Sequence, residues 1–220
     1  AVKLARLLQG GFILASALLV YSFVASAQDG ELRRACLSLC TLQPNYVGET
    51  LSSPEIKLPD LDGAEHSLSA LRGKTVVLVF WTTTCTACKR QMPALAELAE
   101  MLRDDARFAL LTVAVDDDKT AVREMVRQST RKSAPFTVLL DPESRFVQGR
   151  YGTRLFPETW VIDPQGVIRA RFDGPRDWST TLAFDVLEGV ARGDACPLEL
   201  RGGMATGRAA RMCERAANFR

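Results

Sequence analysis

The run Val76-Val77-Leu78-Val79-Phe80-Trp81 is continuously apolar, and Cys85-Thr86-Ala87-Cys88 follows it almost at once. Such a run has no polar face to offer water. It therefore predicts a strand covered on both faces, at the centre of a sheet, from Lys74 to Trp81. Beyond the cysteines, Leu95, Leu98 and Leu102 recur at helical spacing and predict a helix from Cys85 to Leu102. Pro93 removes one backbone bond from it and is expected to kink it. A strand that ends in a Cys-x-x-Cys opening a helix is an arrangement for thiol–disulfide exchange. Cys85 falls where unpaired N–H groups and the helix dipole favour a thiolate. Cys88, one turn further in, is close enough to close the bridge.

The remaining elements follow from apolar runs and turn residues. Pro54 to Leu58 and Ala64 to Leu68 flank the turn Asp60-Leu61-Asp62-Gly63 and predict a leading hairpin. Ser69 to Gly73 is a short helical turn. Phe108 to Val115 and Phe136 to Leu140 are further strands, with an amphipathic helix from Thr120 to Arg131 between them. Ser144 to Tyr151 reads as a short helix or helical loop. Glu158 to Asp163 and Val167 to Phe172 form an antiparallel pair about Asp163-Pro164-Gln165-Gly166. A last helix, capped by Asp177 or Ser179, runs to Val190. Parallel crossovers followed by an antiparallel pair make an α/β fold of thioredoxin architecture: a mixed central sheet with helices on both faces, plus an N-terminal hairpin.

Composition limits the chemistry. A net charge of +2 carries no signature of a nucleic-acid partner, and the single histidine, His66, argues against sites built from several imidazoles. No cofactor and no metal are expected. The N-terminus is informative. Lys3 and Arg6 precede an uncharged stretch from Gly11 to Ala27 that ends in the small-x-small pattern Ala25-Ser26-Ala27. Residues 1–27 thus read as a cleaved export signal or a retained membrane anchor. Either places the rest of the chain outside the cytoplasm, in the periplasm or its equivalent. Six cysteines suit an oxidising compartment. Residues 28–52 are a connector containing Cys36 and Cys40, residues 53–192 the main domain, and residues 193–220 a tail containing Cys196 and Cys213.

Over residues 53–191 the chain resembles the TlpA/ResA-like group of exported thioredoxin-fold thiol–disulfide oxidoreductases, relatives of the cytochrome c maturation thioredoxins. The resemblance rests on five motifs in order: Leu58-Pro59-Asp60-Leu61-Asp62-Gly63, Leu71-Arg72-Gly73-Lys74, Phe80-Trp81, Cys85 and Cys88 followed by Met92-Pro93, and Tyr151-Gly152 to Phe156-Pro157. It implies a cis Phe156–Pro157 bond exposing backbone beside the disulfide, where an extended substrate segment can pair. Phe156, Pro157 and Trp81 are then the substrate-contacting residues. It also implies a disulfide-containing exported protein as substrate and a membrane thiol carrier of the DsbD or CcdA kind as electron donor.

The chain departs from its relatives where they keep acids. Thioredoxin has a buried aspartate at the position of Val79, and ResA-like proteins often have a glutamate at that of Gln91. Thr84 stands where the family often has tryptophan. The proton of Cys88 therefore needs another acceptor. Glu158, next to Pro157, is the first candidate. Asp116-Asp117-Asp118, at the carboxyl end of a strand on the active-site edge, is the second, with plain helix capping as its other reading.

The expected reaction is attack by the Cys85 thiolate on a substrate disulfide, then attack by Cys88 on the mixed disulfide to release reduced product. An oxidase would run the same steps in reverse. Cys36, Cys40, Cys196 and Cys213 are expected to form structural disulfides of undetermined connectivity, with a second redox pair at Cys36/Cys40 as the alternative. Two rivals share the fold. A thiol peroxidase has Thr82 three before Cys85 in its favour, but Leu78 stands where peroxiredoxins carry proline. An SCO-like copper protein needs one more residue between the cysteines.

Overall fold

The computed structural model describes residues 9–11, 13–24, 37–38, 52–130, 135–193, 199–201 and 204–206. The strands are β1 (Leu37–Ser38), β2 (Lys57–Pro59), β3 (Glu65–Ser67), β4 (Thr75–Trp81), β5 (Phe108–Ala114), β6 (Thr137–Leu140), β7 (Glu158–Ile162), β8 (Ile168–Asp173), β9 (Glu199–Arg201) and β10 (Met204–Thr206). The helices of the main domain are α1 (Thr86–Leu102), α2 (Lys119–Thr130) and α3 (Thr181–Ala191). Residues 13–24 are also helical, with Leu14, Leu18, Leu19, Tyr21 and Phe23 exposed. Among the described residues no helix is long and apolar enough to cross a membrane.

Six strands form one sheet in the order β1-β8-β7-β4-β5-β6. β4 runs parallel to β5, and β5 to β6, while β7 and β8 run antiparallel to their neighbours. Every residue of β4 is buried, as its unbroken apolar run requires. Burial of each such side chain stabilises the fold by about 1.5–3 kcal/mol.

Alternation along β4 divides the core in two. Val77, Val79 and Trp81 face one cluster, which α1 enters with Cys88, Met92, Leu95 and Leu98, α2 with Val122, Met125 and Val126, and α3 with Ala183, Val186, Leu187 and Val190. Val76, Leu78 and Phe80 face the other, with Ile56, Leu58, Val147, Tyr151 and Trp160. The mixed sheet flanked by helices is as expected, but the three α-helices share one face. The opposite face is covered by the leading hairpin, the 3₁₀ turn Ser69–Leu71 and the turns of residues 141–152. Asp141 holds those turns by accepting the N–H groups of Arg145, Phe146 and Val147.

α1 stays helical through Pro93 from its N-cap, Cys85. Two details differ from the sequence expectation. The last helix is capped by Thr180, whose hydroxyl accepts Ala183 N–H, because Asp177 is turned to Ser179. Leu37–Ser38, within the connector, adds a strand to β8, whose edge would otherwise leave its backbone groups unpaired. At the β7–β8 turn, Gly166 has φ +81°, and a Cβ there would fall 1.0 Å from Arg72 Nη1. The positive φ is what favours glycine there, since the arginine, which closes the turn on Gln165 O at 2.9 Å, is a flexible side chain that can move aside.

Candidate active site

β4 and α1 meet at the cysteines. Cys85 and Cys88 are joined by a disulfide, with Cα atoms 5.2 Å apart. Cys85 is the N-cap: its Sγ accepts Cys88 N–H at 3.0 Å, so the sulfur lies on the axis of the unpaired N–H groups. Cys88 is 1% exposed and Cys85 is half-buried, which leaves Cys85 as the sulfur an incoming group can reach.

The Phe156–Pro157 peptide is cis. Phe156 O lies 3.4 Å from Cys85 Sγ, a distance at which a reduced thiol can donate to it. Phe156 is half-buried, Pro157 is buried, and the adjoining Leu155 is 84% exposed. The ledge beside the disulfide is therefore made of backbone, with an apolar side chain standing at its lip. Behind it, Pro157 O accepts Gly174 N–H at 2.9 Å.

Trp81 is brought to the cysteines but not to the surface. It is 0% exposed and packs in the cluster that holds Cys88 and Met92. The sequence expectation of substrate contact through Trp81 is corrected accordingly. As the last residue of a strand covered on both faces, Trp81 forms the floor of the site.

Glu158 is also displaced from its expected place. It pairs with Phe80 across β4 and β7, and opposite residues of a ladder share a face. That face is the one with Trp160 and Tyr151, across the sheet from Cys88. There Glu158 is 1% exposed and ion-paired with Arg171, which also reaches Asp173 at 3.1 Å and lies over the Trp160 ring. Burial holds its carboxyl above the ordinary range, and the Arg171 guanidinium opposes the shift. A carboxyl with a raised folded pKa binds its proton more tightly when folded. Its contribution to stability is full below about pH 4.5 and declines as the pH rises through the folded value. Glu158→Gln is thus expected to flatten that part of the stability profile, measured by denaturant titration from acid to neutral pH. The pH–rate profile of thiol release should stay as in the parent protein, and a shifted profile would return Glu158 to the chemistry.

The aspartates separate into two roles. Asp118 accepts the N–H groups of Thr120 and Ala121 and caps α2. Asp116 does something else. Its carboxylate accepts Thr82 Oγ1–H at 2.9 Å, Thr83 N–H at 2.9 Å and Thr83 Oγ1–H at 2.6 Å. It ties the loop between β4 and Cys85 to the end of β5. Asp116→Ala removes the acceptor of all three bonds. It is expected to cost about 1–3 kcal/mol and, by loosening the approach to Cys85, to slow exchange roughly tenfold. Parallel melts and exchange assays check this, and an unchanged exchange rate would reduce Asp116 to a purely structural tie.

One residue near the site carried no sequence signal. Arg176, in Asp173-Gly174-Pro175-Arg176-Asp177, reads as a solvent-facing arginine in a turn, yet it is 3% exposed. Its backbone N–H donates to Gln91 Oε1 at 2.8 Å. Cys36, Cys40, Cys196 and Cys213 lie outside the described residues.

The chain is similar to several known proteins. The AhpC/TSA family matches residues 50–171, more than half of the chain. A thiol-disulfide oxidoreductase ResA from Geobacillus thermodenitrificans is 34% identical over 128 residues, which span 58% of this chain and 70% of that one. A thioredoxin-like protein YneN from Bacillus subtilis is 27% identical over 123 residues, 56% of this chain and 70% of that one. Among solved structures, a thiol-disulfide oxidoreductase from Bacteroides fragilis superposes with a TM-score of 0.54 at 24% identity, covering 62% of this chain and 98% of that one. The thioredoxin domain of a thiol-disulfide oxidoreductase from Bacteroides vulgatus gives 0.53 at 24% identity, over 61% and 94%. At these identities the two structures establish the thioredoxin fold.

Proposed function

The chain belongs to the AhpC/TSA family, in its TlpA/ResA-like group of thiol–disulfide oxidoreductases, and from that premise we propose that it reduces disulfides of exported proteins through Cys85 and Cys88. The observation that carries the reading is the pairing of a reachable Cys85 at the helix N-cap with a buried Cys88 beside a cis-proline ledge. Cys85, as thiolate, attacks a substrate sulfur and forms the mixed disulfide. Cys88 attacks Cys85 and the substrate leaves as a thiolate. Phe156 and Pro157 offer backbone to an extended substrate segment, and Leu155 gives it an apolar neighbour.

The extracytoplasmic location rests on Lys3 and Arg6 ahead of the uncharged stretch to Ala27. Outside the cytoplasm the dithiol needs a source of electrons, and a membrane thiol carrier of the DsbD or CcdA kind fits that need. A peroxidase is disfavoured by the surroundings of Thr82, whose hydroxyl is committed to Asp116.

The test is a pair of measurements on the purified protein: its equilibrium with a glutathione buffer and its reduction of a protein disulfide with a chemical dithiol as donor. A potential well below that of glutathione, with turnover, supports the reductase. A potential near that of a strong oxidant such as DsbA would reverse the direction.

A further inference from the structure

Among the described residues, several buried polar atoms on the α1 side of the sheet make no hydrogen bond. They include Gln91 Nε2, Arg176 Nε and Nη2, Trp81 Nε1 and Trp178 Nε1. These five are donors, and Trp81 and Trp178 belong to the cluster that contains Cys88. An unpaired cation buried in such a place is costly, so its presence calls for an acceptor that arrives at some stage.

The geometry says where. The loop after β8 is tied at two points. Gly174 N–H donates to Pro157 O, and Arg176 N–H donates to Gln91 Oε1, one helical turn beyond Cys88. The loop thus joins the cis-proline ledge to the helix that bears the cysteines. The Arg176 guanidinium is held by Nη1–H donating to Pro175 O at 2.9 Å, and lies 5.9 Å from the centre of the Phe172 ring. Phe172 packs in the same cluster as Cys88. Burial pulls the guanidinium down to about 10, with Asp173 opposing. It stays charged at neutral pH.

The other charged groups around the site are engaged or turned away. On β7, Glu158 is on the opposite face with Arg171. On β8, Asp173 is ion-paired with Arg171 at 3.1 Å. Asp116, at the end of β5, is bound to Thr82 and Thr83, and Asp177 accepts Ser179 N–H. Lys89 and Arg90 of α1 are exposed. α3 presents Ala183, Val186 and Leu187, and β4 presents Val79.

We infer that Arg176, with the Gln91 carboxamide, is a positioning residue for the reaction: a buried cation that stabilises the Cys88 thiolate released when the disulfide opens. The inference rests on the dithiol chemistry proposed above and holds for either direction of electron flow. When a donor dithiol reduces the protein, its thiolate attacks Cys85 Sγ, the Cys85–Cys88 bond breaks, and the electron pair departs on Cys88 Sγ. The donor's second thiolate then attacks its own sulfur in the mixed disulfide and frees Cys85. In the substrate half-reaction the same Cys88 thiolate attacks Cys85. Negative charge therefore appears, in both halves, on a buried sulfur one helical turn from Gln91, whose Nε2 makes no hydrogen bond in the oxidised protein and whose Oε1 holds the Arg176 loop. Where relatives place a carboxylate to take the proton of this thiol, the chain has Val79 and Gln91, and Arg176 lowers the cost of the anion instead.

The test compares the parent protein with Arg176→Met, Arg176→Lys and Gln91→Glu. Cys88 alkylation is followed against pH by mass spectrometry of the reduced proteins, alongside equilibrium with glutathione. Arg176→Met is expected to raise the pH midpoint of Cys88 alkylation. It should also shift the glutathione equilibrium at least tenfold towards the disulfide, about 30 mV for a two-electron couple. Arg176→Lys should keep most of the parent behaviour, and Gln91→Glu should raise the midpoint. Parent values for both readouts in folded Arg176→Met would overturn the inference, whatever its melting temperature. Should Arg176→Met fail to fold, an unmoved midpoint in Gln91→Glu would overturn it equally. A parent protein that reduces no protein disulfide would defeat the functional proposal alone, because the Cys88 midpoint remains measurable.

Discussion

Replacing Cys85 by serine is expected to abolish disulfide exchange, by a factor of a thousand or more on the scale of lost nucleophiles. Replacing Cys88 by alanine is expected to arrest the reaction with substrate joined to Cys85. The two outcomes differ because the two sulfurs are placed differently. Cys85 is half-buried at the helix N-cap, 3.4 Å from Phe156 O, and is the only one of the pair a macromolecular disulfide can approach. Cys88 is 1% exposed and is bonded to Cys85. Without Cys88 the mixed disulfide has no intramolecular attacker, so it accumulates and can be isolated under non-reducing conditions. Mass spectrometry of the trapped species identifies the partner. A Cys88→Ala protein that turns over as the parent does would mean that resolution comes from another thiol, and the two-cysteine cycle would have to be abandoned.

Truncating Trp81 to alanine is the second change of large expected effect, and it acts on stability. The side chain is 0% exposed at the end of β4, between the sheet and α1. Removing a buried aromatic of this size costs about 3–5 kcal/mol, a large share of the total stability of an ordinary domain. Most of the protein is expected to melt well below the parent temperature. The conservative change Trp81→Phe keeps most of the volume and gives up only an indole N–H that bonds to nothing. It should lose far less stability and keep the affinity for a disulfide substrate. Denaturant melts of the two variants separate a floor residue from a contact residue. If Trp81→Phe were stable yet bound substrate much more weakly, the ring would have to be reaching the surface.

The legibility of the fold was uneven along the chain. Strand β4 could be placed to within a residue because its apolar run is unbroken, and α1 because leucines recur on one face. The β7–β8 pair was marked by Asp163-Pro164-Gln165-Gly166. The cap of α3 was not, since Asp177, Ser179 and Thr180 are all capping residue types, and only the path of the chain decides which one meets a free N–H. Placing all three α-helices on one face was likewise beyond pattern reading. Amphipathic periodicity says that a helix has an inner side, not which layer it joins.

The site divides the same way. The sequence by itself determined the dithiol and its place at the start of a helix, because both depend on local spacing, while the proline that faces it was implied by the family resemblance. Tertiary structure alone decided what surrounds the dithiol. It carried Glu158 across the sheet by the alternation of one strand, sank Trp81 beneath α1, committed Asp116 to Thr82 and Thr83, and buried Arg176 against Gln91. These are contacts between residues far apart in the chain. Local spacing leaves them open, and close packing of the sheet against its helices fixes them.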